Sequence, residues 1–136
     1  MPLKFYVATR FSNKAEVRRA RRLLQRTLQH EITYDWADKP LQVVTESHLK
    51  ASAIKELEGV QDADYLVAIL PGGFGTHVEI GAALVTDKPV FLVVPHANYL
   101  CDLQRNSMPF YRHPNVHCID NLAMVPATVE RVMTKA

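Results

Sequence analysis

The chain has 136 residues, 48% of them hydrophobic and 22% charged, and a formal net charge of +2. These proportions are ordinary for a globular protein and exclude a disordered segment, a collagen-like repeat and a coiled-coil rod. The length leaves room for a single domain, residues 1–136, that buries roughly two-thirds of its unfolded surface.

The longest apolar runs, Tyr65–Pro71 and Pro89–Pro95, fall far short of the roughly 18 residues of a membrane span, and the chain leads straight into a strand pattern. A cytoplasmic domain with no membrane partner is expected. Cys101 and Cys118 read as free thiols, since a chain with an adequate core needs no disulfide. The six histidines show neither C-x-x-C nor H-E-x-x-H spacing, and Pro114 interrupts the pair His113 and His117. No metal and no organic cofactor are expected.

In chain order, Leu3–Ala8 reads as a strand and Thr9–Asn13 as a loop. Ser12 is placed to cap a helix carrying Val17, Ala20, Leu24 and Leu28 on one face. Glu31–Tyr34 reads as a second strand and Asp35–Pro40 as a polar loop holding Trp36. A second helix starts near Thr45, with Leu49, Ala53, Ile54 and Leu57 in helical period, and ends near Gly59. Asp64–Leu70 and Pro89–Val94 are unbroken apolar runs, the pattern of parallel strands covered on both faces. Between them Thr76–Thr86 reads as a helix with small residues that pack closely on a sheet. A strand at Val116–Ile119 and a helix from Val125 to Lys135 complete the chain. This alternation predicts a three-layer, doubly wound α/β domain with a parallel sheet of about five strands.

Basic charge is concentrated in one segment, where Arg10, Lys14, Arg18, Arg19, Arg21, Arg22 and Arg26 face only Glu16. It reads either as the solvated face of an amphipathic helix or as a surface for phosphate or RNA. No aromatic residue is interleaved with the arginines from Arg18 to Arg26, so a nucleic-acid partner is not expected.

Chemistry is expected at Pro71-Gly72-Gly73-Phe74-Gly75-Thr76-His77-Val78-Glu79. In open α/β sheets ligands bind beyond the carboxyl ends of the strands, and glycines between strand and helix let backbone N–H groups approach an anion. The segment has neither the Gly-Lys-Ser/Thr of a Walker loop nor a G-x-G-x-x-G fingerprint, which argues against kinase and dehydrogenase chemistry. Glu79 has two readings. It closes a capping box with Thr76, or it is a carboxylate at a ligand-facing helix start, held ionised by the helix dipole and able to attack a sugar carbon.

The run ILPGGFGTHVEIGAAL, Ile69–Leu84, resembles the Gly-rich segment and helix of the nucleoside 2-deoxyribosyltransferase superfamily, which includes the 2′-deoxynucleoside 5′-phosphate N-hydrolases. The likeness runs from the first strand to about Val116. It implies a flavodoxin-like domain that cleaves the N-glycosidic bond of a small-molecule nucleoside or nucleotide, with Glu79 as nucleophile. It also implies a catalytic carboxylate in the preceding helix, where Glu56-Leu57-Glu58-Gly59-Val60 places glutamate at the family's usual aspartate. The substrate site implied in this way takes Gly72, Gly73, Gly75, Thr76 and His77 from the glycine segment. The family's first-strand tyrosine aligns with Phe5, but Tyr6 is the tyrosine present, and neighbouring strand residues face opposite sides. Phe11 and Trp36 are candidates to sandwich a base. Asn106 resembles a family residue that reaches a neighbouring subunit's site. A homo-oligomer is therefore expected, closed by the apolar loop residues Tyr99, Leu100, Met108, Phe110 and Tyr111. The signature PGG-x-GT-x-x-E also resembles the cytokinin-type nucleoside 5′-monophosphate phosphoribohydrolases, and a non-catalytic nucleotide-binding domain is a third reading.

Overall fold

The computed structural model describes residues 2–40 and 43–135. Five strands, β1 (Lys4–Ala8), β2 (Glu31–Ile32), β3 (Tyr65–Ile69), β4 (Val90–Val93) and β5 (Val116–Ile119), form one sheet in the order β2-β1-β3-β4-β5. Every ladder is parallel, with Phe5 opposite Tyr65, Leu66 opposite Val90 and Val90 opposite Val116. All five residues of β3 are buried, because helices cover both sides of the central strands.

Helices α1 (Lys14–Leu28) and α4 (Val125–Met133) cover one face, and α2 (Glu46–Asp62) and α3 (Phe74–Val85) the other. The period of two along each strand sorts the core accordingly. Phe5, Val7, Tyr65, Val67 and Phe91 pack with Val17 and Leu24 of α1 and Val129 of α4. Tyr6, Ala8, Leu66, Ala68 and Leu92 pack with Val60 of α2 and Ile80 and Ala83 of α3. The architecture is the doubly wound, flavodoxin-like one expected from the alternation of elements. Its strand order reverses between β1 and β3, where such sheets open a crevice.

Several local expectations are corrected. Ser12 caps nothing: it lies in a short 3-10 turn, Phe11–Asn13, that runs directly into α1. The second strand is only Glu31–Ile32, and Trp36 sits in a 3-10 turn after it. Thr45 does cap α2, its side chain accepting from the His48 N–H, but the helix runs through Gly59 to Asp62. Helix α4 ends at Met133 rather than Lys135.

The largest correction is the rotation of α2. Leu49, Ala53, Ile54 and Leu57, expected on its buried face, are exposed, whereas His48, Ser52, Glu56, Gly59 and Val60 turn inward. Close packing demands this orientation. A Cβ on Gly59 would lie 2.9 Å from Tyr6 Cδ2 and 3.0 Å from Tyr34 Cβ, so only glycine lets α2 settle onto these rings.

Candidate active site

At the β1/β3 switch point Thr9 ties the two strand ends together, its hydroxyl donating to the Ile69 carbonyl at 2.8 Å. Above this tie opens a cleft of about 600 Å³, walled by the loop after β1, the turn after β2, one face of α2 and the start of α3. The chain leaves β3 through a cis Leu70–Pro71 bond and enters α3 at Phe74, with Gly73 as N-cap. The helix therefore starts two residues earlier than expected, and this changes the role of Thr76. Its hydroxyl accepts from the Gly73 N–H at 3.1 Å, so the cap is closed without Glu79.

Freed from capping, Glu79 points into the interior beneath the cleft and is only 6% exposed. The Tyr6 hydroxyl donates to its Oε2 at 2.6 Å. Glu56 reaches the same carboxyl group from α2, within hydrogen-bonding range. Burial pushes the Glu79 carboxyl up to about 8; Tyr6 pulls it down, and the nearby Glu56 adds to the rise. Glu56 is itself raised, chiefly by burial, while its contact with Glu79 pulls it down. At neutral pH burial therefore keeps the Glu79 carboxyl largely protonated beside Glu56. The expectation that the helix dipole keeps Glu79 ionised is corrected, because Glu79 lies in the second turn of α3, where that field has faded. Burial, followed by the Glu79 charge, holds the Tyr6 phenol far above its ordinary range, so it remains a donor.

Of the expected site residues, Glu79, Glu56, Gly73, Gly75, Thr76, Phe11 and Trp36 line the cleft, and Tyr6 lies under it as the partner of Glu79. Phe5 faces the opposite core, so the strand's period places Tyr6, and not Phe5, on the carboxylate side. Phe11 and Trp36 do not form a sandwich. Their rings stack on each other with centroids 6.3 Å apart, the separation of a direct aromatic pair, and Trp36 Nε1 donates to the Val7 carbonyl at 2.8 Å.

Gly72, His77 and Asn106 stand outside the cleft. A Cβ on Gly72 would collide with the Thr76 side chain at 2.7 Å, so glycine there serves the turn. His77 turns away from the cleft. Its Nδ1 lies 2.8 Å from the Gly73 carbonyl, to which it must donate, and its Nε2 lies 2.6 Å from the Tyr111 hydroxyl. Asn106 Nδ2 donates to the Tyr99 carbonyl at 3.4 Å, in a loop braced by Arg112 through the carbonyls of Leu100, Met108 and Asn106. Tyr99, Leu100, Met108 and Tyr111 pack largely inward against the core, leaving Phe110 as the exposed aromatic of that loop.

Arg10 and Lys14 of the basic segment also line the cleft, together with Tyr34, Lys39, His48 and Ser52, which the sequence does not mark as site residues. Lys14 Nζ sits 4.3 Å from the Phe11 ring centroid and Lys39 Nζ 5.2 Å from that of Tyr34, so aromatic rings hold both cations at the mouth. The spacing of His48, Ser52 and Glu56 was the available signal for the α2 wall. It went unread because the leucines and isoleucine of α2 carried a stronger helical period.

The chain is thus a small α/β domain with two neighbouring carboxyl groups at the switch point of its sheet. No protein-family model and no curated protein matches the sequence. Solved structures do share the fold. A 2-deoxyribosyltransferase of the psychrotolerant bacterium Bacillus psychrosaccharolyticus aligns with a TM-score of 0.65 at 20% identity, covering 90% of each chain. The CMP N-glycosidase BcmB of Clostridium botulinum aligns with a TM-score of 0.59 at 17% identity, covering 94% of this chain and 98% of its own.

Proposed function

We propose that this protein is an enzyme that cleaves the N-glycosidic bond of a nucleoside or nucleoside 5′-monophosphate, with Glu79 as nucleophile and Glu56 as proton donor. The observation that carries the reading is the cluster Tyr6–Glu79–Glu56 on the floor of a cleft sized for a small molecule. Among solved structures that share the fold are a 2-deoxyribosyltransferase and a CMP N-glycosidase, which supports this reading.

In the reaction, a Glu79 carboxylate oxygen attacks C1′ while the C1′–N bond breaks and its electron pair leaves with the base. Glu56 gives its proton to the departing nitrogen. Water, deprotonated by the Glu56 carboxylate, or a second base then attacks C1′ and releases Glu79. The reactive arrangement is ionised Glu79 beside protonated Glu56. Because Glu79 is largely protonated at neutral pH, its proton must first pass to Glu56, a short transfer between neighbouring groups. Tyr6 assists by donating to Glu79 as charge develops there. Arg10, Lys14 and Lys39 at the mouth favour a substrate carrying a 5′-phosphate.

A second copy of the chain belongs to this reading. Ile54 and Leu57 of α2, with Phe74, Val78 and Val85 of α3, are large apolar residues left exposed on two adjacent helices. Such an unpartnered face fits a symmetric dimer, in which Asn106, outside its own cleft, serves that of the neighbour.

The test is incubation with a panel of nucleosides and 5′-monophosphates, with and without a second free base, reading released and exchanged base by chromatography. Base release lost in Glu79→Gln supports the assignment. No release from any member of the panel overturns it.

A further inference from the structure

His48, Ser52 and Glu56 line the cleft at the spacing i, i+4, i+8, which stacks them along one side of a helix. They are half-buried, whereas the α2 residues around them from Glu46 to Glu58 are exposed, so this stripe, with Leu49 beside it, is the face that α2 presents to the cleft. Successive members are separated by about 6 Å along the axis. Glu56 occupies the deep end beside Glu79. His48 occupies the first turn, set by the Thr45 cap, whose hydroxyl accepts from the His48 N–H at 3.1 Å. Tyr34, Trp36 and Phe11 bring aromatic surface to the same cleft. Trp36 has its N–H committed to Val7, so it can offer a ligand only the face or edge of its ring.

We propose that His48 and Ser52 form a subsite that reads the polar edge of the departing base, a heterocycle bearing an amino or oxo group. The inference rests on the N-glycosidic reading of the cleft. With C1′ held at Glu79 and the glycosidic nitrogen at Glu56, a planar base extends along α2, toward the stripe and away from the acidic floor. Ser52 both donates and accepts, and the His48 ring adds two polar nitrogens, so together they match an amino or oxo edge. Discrimination follows from the cost of failure. A base with no exocyclic group leaves these half-buried side chains without a partner on the ligand, and sites built around hydrogen bonds reject such analogues more sharply than apolar sites do.

The experiment uses the Glu79→Gln protein, in which nothing turns over, and calorimetric titration. The ligands are the 5′-monophosphates of adenosine, guanosine, cytidine, uridine and unsubstituted purine riboside, with ribose 5-phosphate as the base-free control. Ser52→Ala and His48→Ala are each expected to weaken the preferred nucleotide about 5- to 10-fold, the worth of one hydrogen bond. Purine riboside monophosphate and ribose 5-phosphate should stay within about twofold. Ser52→Thr, which keeps the hydroxyl, should preserve the ranking of bases. Uniform weakening that includes ribose 5-phosphate, or an unchanged ranking, overturns the subsite. Base discrimination that responds to these substitutions without any cleavage by the wild-type protein would uphold the subsite while removing the catalytic reading. Cleavage whose base preference ignores them would do the reverse. Failure of every nucleotide to bind overturns both.

Discussion

Tyr6 and Glu79 are 73 residues apart in sequence, yet the hydroxyl of one donates to a carboxylate oxygen of the other at 2.6 Å, buried between the sheet and α3. This bond is the main influence that lowers the proton affinity of a carboxyl group otherwise pushed upward by its surroundings. Tyr6→Phe keeps the ring in the core and removes the bond. Glu79 should then hold its proton more tightly, and kcat/KM should fall about 10- to 100-fold, the range for a hydrogen bond to a charged group. Kinetics across pH check this, and an unchanged rate would show that Tyr6 is only core.

The shared proton gives the pH dependence a definite sign. The active form carries one proton on the Glu56–Glu79 pair, so kcat/KM should decline in acid as the pair gains a second. It should decline again above about 8 as the last proton leaves. Glu56→Gln removes the proton donor and should cost about 10²- to 10⁴-fold with ordinary bases, but much less with a base that leaves unprotonated. Stability should follow Glu79. Below about 4.5 the group is protonated in both states, and between there and about 8 only the unfolded chain ionises, so the folded state loses ground as pH rises. Glu79→Gln removes that loss. Its melting temperature should match the wild type near pH 4 and exceed it increasingly toward pH 8, while base release falls on the order of a thousandfold or more. A variant less stable at pH 8 would contradict the buried, protonated state of Glu79.

Gly59 supports the same cluster from behind. Alanine is the better helix former by about 1 kcal/mol, but its methyl would fall 2.9 Å from Tyr6 Cδ2, where two aromatic side chains leave little freedom to move. Overpacking of this kind costs about 1 to 3 kcal/mol and should prevail. Gly59→Ala is expected to lower the melting temperature and, by displacing Tyr6, the rate. A more stable and equally active variant would mean that α2 can lift away without consequence.

The fold is readable because the unbroken apolar runs at Tyr65–Ile69 and Val90–Val93, short and bounded by turn residues, fit strands covered on both faces. The site was readable where it depended on the glycine segment and Glu79. It was misread where two local patterns competed. Thr76 and Glu79 have capping-box spacing, but Gly73 needs no side chain to begin a helix, which moves the start forward and leaves Thr76 as the residue that closes the cap. The apolar period of α2 is real, yet it faces outward, because sequence does not say whether such a stripe meets the protein's own core or another chain. His77 was assigned to the cleft by its neighbours in sequence, whereas its ring nitrogens engage Gly73 and Tyr111 and so tie the loop of Asn106 to the glycine turn.

The cations at the mouth make phosphate recognition testable. Arg10 abuts the glycine turn, with its Cβ 3.8 Å from the point where a Gly73 side chain would begin. Arg10→Ala should raise KM for a 5′-monophosphate about tenfold through loss of a charge-assisted bond and leave the corresponding nucleoside nearly unchanged. Added salt should weaken the monophosphate in the same selective manner. Equal effects on both substrates would place the phosphate elsewhere.

The exposed apolar residues of α2 and α3 lead to the last expectation. Phe74 is 97% exposed and Val85 84%, and with Val78, Ile54 and Leu57 they are large apolar side chains left in water on these two helices. In the loop after β4, Tyr99, Leu100, Met108 and Tyr111 pack against the core and leave Phe110 as the exposed aromatic, so the α2–α3 face is the better candidate for the contact. Ile54→Arg or Val78→Arg places a charge on that face without touching the core, and either should convert a dimer to a monomer in sedimentation. Complementation tests whether the neighbouring chain also completes the site. Mixing a Glu79→Gln chain with an Asn106→Ala chain gives hybrid dimers in which one site carries both defects and the other carries neither. With free exchange, activity should recover to about one quarter of wild type, because half the dimers are hybrids and half their sites are intact. An active monomer, or no recovery after exchange has been demonstrated by mass spectrometry, would show that each chain works alone and that Asn106 serves only its own loop.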